Sequence, residues 1–350
     1  MKDLHTPLAY ADNIRQSGLD IYASIDVGDP QLWIPAPEME FLLNSALKGT
    51  SLAGLPLRTR SKVVKAAVCE AMGYTVPRSF RKTQPRFPGQ CLDTYVQKSS
   101  NLQIWNEEIA PNRRYAIIKV AQDDTIVKVK VVTGDTLALL DTTGTLTRKY
   151  QARITPGDAD VELVSDVDTE NLGRITCQYR NTPGFAVSPT AHPSVGQLMP
   201  IELVCRKLEQ LVGNTFVDAG IDQERNRGGE LHRRVCAALG YQRHQDDGAF
   251  PDIRHQLIEV KLQTSPTIDL GLVSPASEEP LDTPRLENVQ ARHCDVRYVV
   301  FYAERNNANV TLTKLYVSTG ERFFARFVQF GGLVTNAKLQ IPLPASFFED

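Results

Sequence analysis

Residues 250–263 read Phe250-Pro-Asp-Ile-Arg-His-Gln-Leu-Ile-Glu-Val-Lys-Leu-Gln263. The pattern predicts a strand opened by Pro251-Asp252, a tight polar turn at Arg254-His255-Gln256, and a second strand over Leu257–Gln263. Side chains alternate faces along a strand. Glu259 and Lys261 therefore project together, while Ile258, Val260 and Leu262 project the other way. A hairpin folds Asp252 back beside Glu259, gathering two carboxylates and one ammonium at a sheet edge. Neighbouring carboxylates repel unless a cation lies between them. Hard carboxylate oxygens with room for water suit Mg²⁺, and a lysine beside the ion can orient a water. The competing reading is a surface hairpin in which Glu259 and Lys261 form a plain salt bridge.

Working outward, Glu230–Leu239 reads as a helix closed by Gly240, with Leu231, Val235, Ala238 and Leu239 on its buried face. Before it, Arg225-Asn-Arg227-Gly-Gly229 reads as a basic glycine loop. After the hairpin, Asp295–Ala303 and Asn309–Val317 read as strands, Arg322–Phe330 as a helix, and the proline-bearing tail 337–344 as an edge strand. This order predicts an α/β domain over 201–350, a mixed sheet flanked by helices. Residues 181–200 hold three prolines and two glycines in their first sixteen positions and read as a linker. Residues 1–180 read as an α+β domain. Its helices are expected over Pro37–Leu47 and Thr59–Met72. A β-meander is expected from Tyr115 to Tyr179, with Thr136–Leu140 as one of its strands.

The chain has 350 residues, room for two domains, with 42% hydrophobic and 23% charged residues, as in ordinary globular proteins. No apolar run approaches membrane-spanning length, and Met1–Pro7 shows no signal sequence. A cytoplasmic location is expected. Six scattered cysteines without a C-x-x-C pair argue against a zinc cluster or a disulfide framework. No G-x-x-x-x-G-K-[ST] loop is present, so ATP is not expected as a partner. The net charge of −2 excludes a general nucleic-acid coat, but the charge is polarised. Residues 58–114 carry eleven Lys/Arg against four acids, and 158–170 carry six acids and no base. Within the basic segment, Arg78, Arg81, Lys82 and Arg86 are interleaved with Phe80 and Phe87. That loop can follow a phosphate backbone, or it is simply a solvated loop.

An echo joins the two halves. Val68-Cys-Glu-Ala-Met-Gly-Tyr74 parallels Val235-Cys-Ala-Ala-Leu-Gly-Tyr241. Phe87-Pro-Gly leads to Lys98 with the spacing of Phe250-Pro-Asp to Lys261, which sets Gly89 against Asp252 and Val96 against Glu259. Two helix–glycine–strand units produce such an echo by chance, and coincidence is the reading taken at this level.

Pro251-Asp252 and Glu259-Val260-Lys261 resemble the PD-(D/E)xK nuclease motif, over roughly residues 220–320. Type II restriction endonucleases are its most familiar members. The resemblance implies a restriction-endonuclease-like fold and a Mg²⁺ ion held by Asp252 and Glu259, with the Val260 carbonyl as a further ligand. It implies that Lys261 orients the attacking water. A helical acid, here Glu230, would complete the site, although Glu230 is equally placed to pair with Arg234 one turn on. Duplex DNA is the implied partner, contacted by Gln263, by Arg225 and Arg227, and by Arg78, Arg81, Lys82 and Arg86. A homodimer in a prokaryotic cytoplasm is expected, since palindromic sites match two-fold proteins. The rivals are a repair or structure-specific nuclease, a histidine–metal nuclease using His255, and a DNA-binding regulator on an inactive scaffold.

Overall fold

The computed structural model describes residues 6–105, 109–140, 150–154, 157, 159–181, 184–217, 224–306, 309–330 and 338–349. The chain forms two compact units, Met1–Arg148 with Leu333–Asp350, and Lys149–Gly332. The sequence placed the boundary at 181–200. Within that stretch Phe185 and Met199 are buried in the second unit's core, and the His255 N–H donates to Pro189 O at 3.0 Å. The proline-rich run is therefore a packed loop of the second unit. Thr182 and Pro183 lie outside the described residues.

The first unit contains α1 (Pro7–Ser17), α2 (Ala36–Leu47), α3 (Leu57–Ala71), β1 (Leu92–Gln97), β2 (Asn101–Trp105), β3 (Arg114–Val120), β4 (Ile126–Thr133) and α4 (Gly134–Leu139). Strand order is β1-β3-β4, with β1 parallel and β4 antiparallel to β3. Leu42, Leu43 and Leu47 of α2 and Val64, Val68 and Met72 of the α3 segment bury their apolar stripes with Ala116, Ile118 and Val120 of β3. The expected meander reduces to the β3–β4 hairpin. Thr136–Leu140 is not a strand: the Thr133 hydroxyl accepts the Thr136 N–H and starts α4, so Thr133-Gly134-Asp135 is a helix start rather than a turn. The tail strand Lys338–Pro342 pairs with β2 at the unit's edge, as its prolines require.

The second unit contains β5 (Tyr150–Ile154), β6 (Val161–Leu163), α5 (Glu170–Thr176), α6 (Ile201–Leu208), β7 (Thr215–Val217), α7 (Glu224–Leu239), β8 (Ile258–Gln263), β9 (Thr267–Gly271), β10 (Arg297–Asn306), β11 (Asn309–Thr319) and β12 (Phe327–Phe330). Its main sheet runs β6-β11-β10-β8, mixed in direction. Alternation along β10 covers both faces: Val299, Phe301 and Ala303 pack with α6 and α7, while Tyr298 and Val300 pack with Phe323 and Phe327. Arg322–Phe330 was expected to be helical. Its aromatic run instead makes a short turn and then β12, which pairs with β5, and the Phe323 and Phe327 rings stack at 4.4 Å.

The two units repeat one arrangement. Each has a helix ended by a left-handed glycine, Gly73 or Gly240, followed by Tyr74 or Tyr241. A short turn then ends in a non-glycine left-handed residue, Cys91 or Leu257, with φ of 47° and 49°. The next strand, β1 or β8, lies parallel to β3 or β10, pairing Leu92 with Arg114 and Ile258 with Arg297. Both arginines are fully buried and donate to the carbonyl of the turn glutamine, Gln90 or Gln256. Each also reaches the residue before a helix-starting proline, Ile34 O or Met199 O. The glutamine side chains return bonds to the same segments, at Leu32 O and Ile34 N, and at Gln197 O and Met199 N. The echo in the sequence is therefore real, and its register differs from the sequence reading. Arg86, not Gly89, matches Asp252; Asp93, not Val96, matches Glu259; Tyr95 matches Lys261.

Candidate active site

A single antiparallel bridge between Ile253 and Ile258, with N–H···O distances of 2.9 and 3.1 Å, closes the loop that carries the acids. The first arm is this one bridge rather than a full strand, because residues 254–256 coil tightly and Leu257 turns left-handed. Ile258 then enters the core, while Val260 and Leu262 pack against it. Glu259 and Lys261 fall on the opposite face, as alternation requires.

The loop draws the acids together through the backbone. Glu259 Oε2 accepts the Asp252 N–H at 3.2 Å, and Asp252 Oδ2 accepts the Val260 N–H at 2.8 Å. Lys261 Nζ lies 2.7 Å from Glu259 Oε1. Glu259 is buried at 4% exposure. Burial, and after it the Glu259 charge, push the Asp252 carboxyl well above the usual carboxylate range, while Lys261 and the Val260 N–H pull the other way. Asp246 adds to the negative field on Asp252. The sequence reading passed over this residue, and its signal is the acid pair Asp246-Asp247 just upstream.

The support beneath the loop is rigid. Arg297 Nε donates to Asp168 Oδ1 at 2.7 Å, Nη1 to Gln256 O at 2.6 Å and Nη2 to Met199 O at 2.9 Å. Phe250 stacks on His293 at 5.3 Å and 15°. His255 is tied to the Tyr241 hydroxyl at 2.7 Å and to Gln197 Oε1 at 2.9 Å, and burial lowers its imidazole to about 4. Both of its ring nitrogens are engaged inside the fold, which leaves the histidine–metal reading without support.

Glu230 is bonded to the arginines of its own helix. The helix begins at Glu224, so Glu230 lies in its second turn, and its carboxylate is held by Arg233 at 2.8 Å and Arg234 at 2.7 Å. Those bonds hold it below the ordinary carboxylate range. The Arg225–Gly229 stretch is helix rather than loop. Arg227 is buried at 5% exposure and presents no open guanidinium to a phosphate; the Arg225 side chain lies outside the described residues. Gln263 is half-buried on β8, on the face of Glu259 and Lys261. In the first unit Arg78, Arg81 and Lys82 are exposed and Arg86 is half-buried. The Arg81 guanidinium lies over Tyr22, 4.2 Å from the ring centre.

The donor set fits a hard divalent cation. Burial first, and the Glu259 charge after it, raise the Asp252 carboxyl, and a cation beside the two carboxylates would relieve that repulsion. Asp252 and Glu259 would hold it. Among the described residues no cluster of three or more His, Cys, Asp or Glu side chains forms a full cage, so most of its ligands would be water, the habit of Mg²⁺. Among the described residues no helix is long and apolar enough to cross a membrane. Comparison with protein-family models, curated proteins and solved structures finds no match to this chain.

Proposed function

We propose that the second unit is a Mg²⁺-dependent endonuclease of the PD-(D/E)xK type, with a restriction-endonuclease-like core acting on duplex DNA. The observation that carries this reading is the meeting of Asp252, Glu259 and Lys261 on one small loop and strand. Asp252 and Glu259 would hold the cation, with the Val260 carbonyl as a further ligand. Bound there, Mg²⁺ would supply Lewis-acid stabilisation of charge on the phosphate and the leaving oxygen. Lys261, anchored by Glu259, directs a water at phosphorus and offers positive charge as the phosphorane-like charge develops. Hydrolysis forms one P–O bond from water and breaks the bond to the leaving sugar oxygen, which takes up a proton. Gln263 lies further along the same face and is positioned to contact the cleaved strand.

Site-specific cleavage in the manner of a type II restriction enzyme is the favoured form. Digestion of a phage-length DNA with and without Mg²⁺, followed by sequencing of the ends, tests it. Discrete fragments with one shared end sequence support restriction. Cuts that track junctions or flaps move the reading to a structure-specific nuclease. Binding without any cut leaves a DNA-binding regulator.

A further inference from the structure

The position that holds two acids and a lysine in the second unit holds a different set in the first. Asp93 Oδ1 accepts the Arg86 N–H at 2.8 Å, just as Glu259 accepts the Asp252 N–H. The backbone frame is thus kept, while the side chain at the Asp252 position is a guanidinium and that at the Lys261 position is Tyr95. Tyr95 stacks on Tyr115 at 6.0 Å. Arg113, beside the buried Arg114, places Nη1 3.2 Å from Asp93 Oδ2. Lys65 of α3 lies near Arg86 and matches His232 of α7 in the repeat. Burial, and after it the nearby Arg86 charge, lower its ammonium below the ordinary lysine value. Its Nζ also lies 5.0 Å over the Phe80 ring, and Arg86 Nη1 donates to Thr83 O at 3.2 Å.

Arg113 is the cation that pairs with the carboxylate, while the Arg86 guanidinium and the Lys65 ammonium lie near each other and, among the described residues, no acid pairs with either. A divalent cation is repelled from such a place. An anion is drawn to it, and a phosphate oxygen between Arg86 and Lys65 would relieve their mutual repulsion.

We propose that the first unit carries a metal-free phosphate site, formed by Arg86 and Lys65 on the same loop-and-strand frame as the acidic site, and that it takes a backbone phosphodiester of duplex DNA. The choice of duplex DNA as the polyanion rests on the nuclease reading; the cationic site does not. One chain then holds one cutting site and one holding site. The neighbouring Arg78, Arg81 and Lys82 extend the positive surface along the chain.

The test is fluorescence anisotropy of a labelled 30-base-pair duplex of mixed sequence, in EDTA, at stepped KCl. Full-length wild type is compared with Arg86→Gln, Lys65→Gln and the control Arg174→Gln, an exposed arginine paired with Glu170. Each site variant should flatten the slope of log affinity against log salt by ~0.9 and weaken binding about eightfold at 0.1 M KCl, one phosphate contact's share. The control should match wild type. Unchanged slope and affinity in folded Arg86→Gln and Lys65→Gln would overturn the site. Should Arg86→Gln fail to fold, Lys65→Gln, a half-buried helix-surface change, decides alone. Wild-type cleavage with Mg²⁺ is measured in parallel. A flattened slope without cleavage keeps the site and removes the nuclease reading; cleavage with an unchanged slope does the reverse.

Discussion

Asp93 and Glu259 perform the same backbone task in two units, each accepting the N–H of the residue seven positions before it, at 2.8 and 3.2 Å. What differs is the side chain at that earlier position, arginine in one case and aspartate in the other. Asp93 has no acid beside it there and forms its ion pair with Arg113, while the Arg86 guanidinium turns to Thr83 O. An acid beside a buried acid is a repulsive contact, set in the second unit against the backbone hydrogen bonds that each carboxylate accepts. Such contacts collect where a cation binds or a reaction occurs.

That repulsion is measurable as stability. Asp252 has its carboxyl raised in the folded state, so its contribution is fully present below its unfolded value, near 3.8, and is lost as pH rises through the raised one. In EDTA at pH 8, Asp252→Asn should therefore melt above wild type, by ~2–4 °C for a ~1 kcal/mol relief in a unit of this size. The gap should close as pH falls toward 4. A lower melting temperature for the variant at pH 8 would mean that the pair is not strained.

Cation binding should follow the same proton. Mg²⁺ must displace it from Asp252, so affinity falls as pH drops below the raised value, ~tenfold per pH unit for one proton exchanged. Calorimetry at pH 6 and pH 8, in buffers of different ionisation enthalpy, reads both affinity and proton release. Equal affinity with no released proton at either pH would place the ion away from Asp252.

Glu230 offers a contrast. Its partners are Arg233 and Arg234 on its own helix, and it is partly exposed. Glu230→Gln should cost ~0.3–0.5 kcal/mol, the value of helical ion pairs, and leave cleavage per folded molecule unchanged. A hundredfold loss of rate with an unchanged melt would return Glu230 to the metal site.

Much of this was legible in the residues. The loop with its acids, the helices over 36–47 and 57–71, and the strands β10 and β11 follow from periodicity and turn residues. Three of the readings that failed show the physical reasons. Residues 181–200 look like a linker because prolines and glycines mark irregular backbone, and that composition cannot say whether the irregular chain is packed. Arg322–Phe330 holds aromatic residues at spacings that suit a helix and a strand equally, and pairing with β5 decided it. The repeat was read in the wrong register because Phe87-Pro88 resembles Phe250-Pro251, while the true match, Pro85-Arg86, has lost the acid. The deeply buried arginines at 114 and 297 carried no sequence signal, since the carbonyls that receive them come from segments distant in the chain.

Arg297 should be the most costly surface-silent substitution. It is fully buried against Asp168, which is itself buried. Arg297→Met leaves that carboxylate and two carbonyls enclosed without their donor, a loss of ~3–5 kcal/mol. Chemical denaturation of the purified variant measures it. A loss under ~1 kcal/mol would show that water replaces the guanidinium.

The most direct measurement of the central claim is the Mg²⁺-dependent cleavage rate of a long duplex DNA by wild type and by Lys261→Ala, with DNA affinity recorded for both. Lys261 acts on charge that develops as the bond breaks, so the account predicts Mg²⁺-dependent cutting by wild type, a loss of ~10²–10³ in the variant, and an affinity that stays nearly constant. Cutting by Lys261→Ala at the wild-type rate, or no cutting by wild type with any divalent cation, would contradict it.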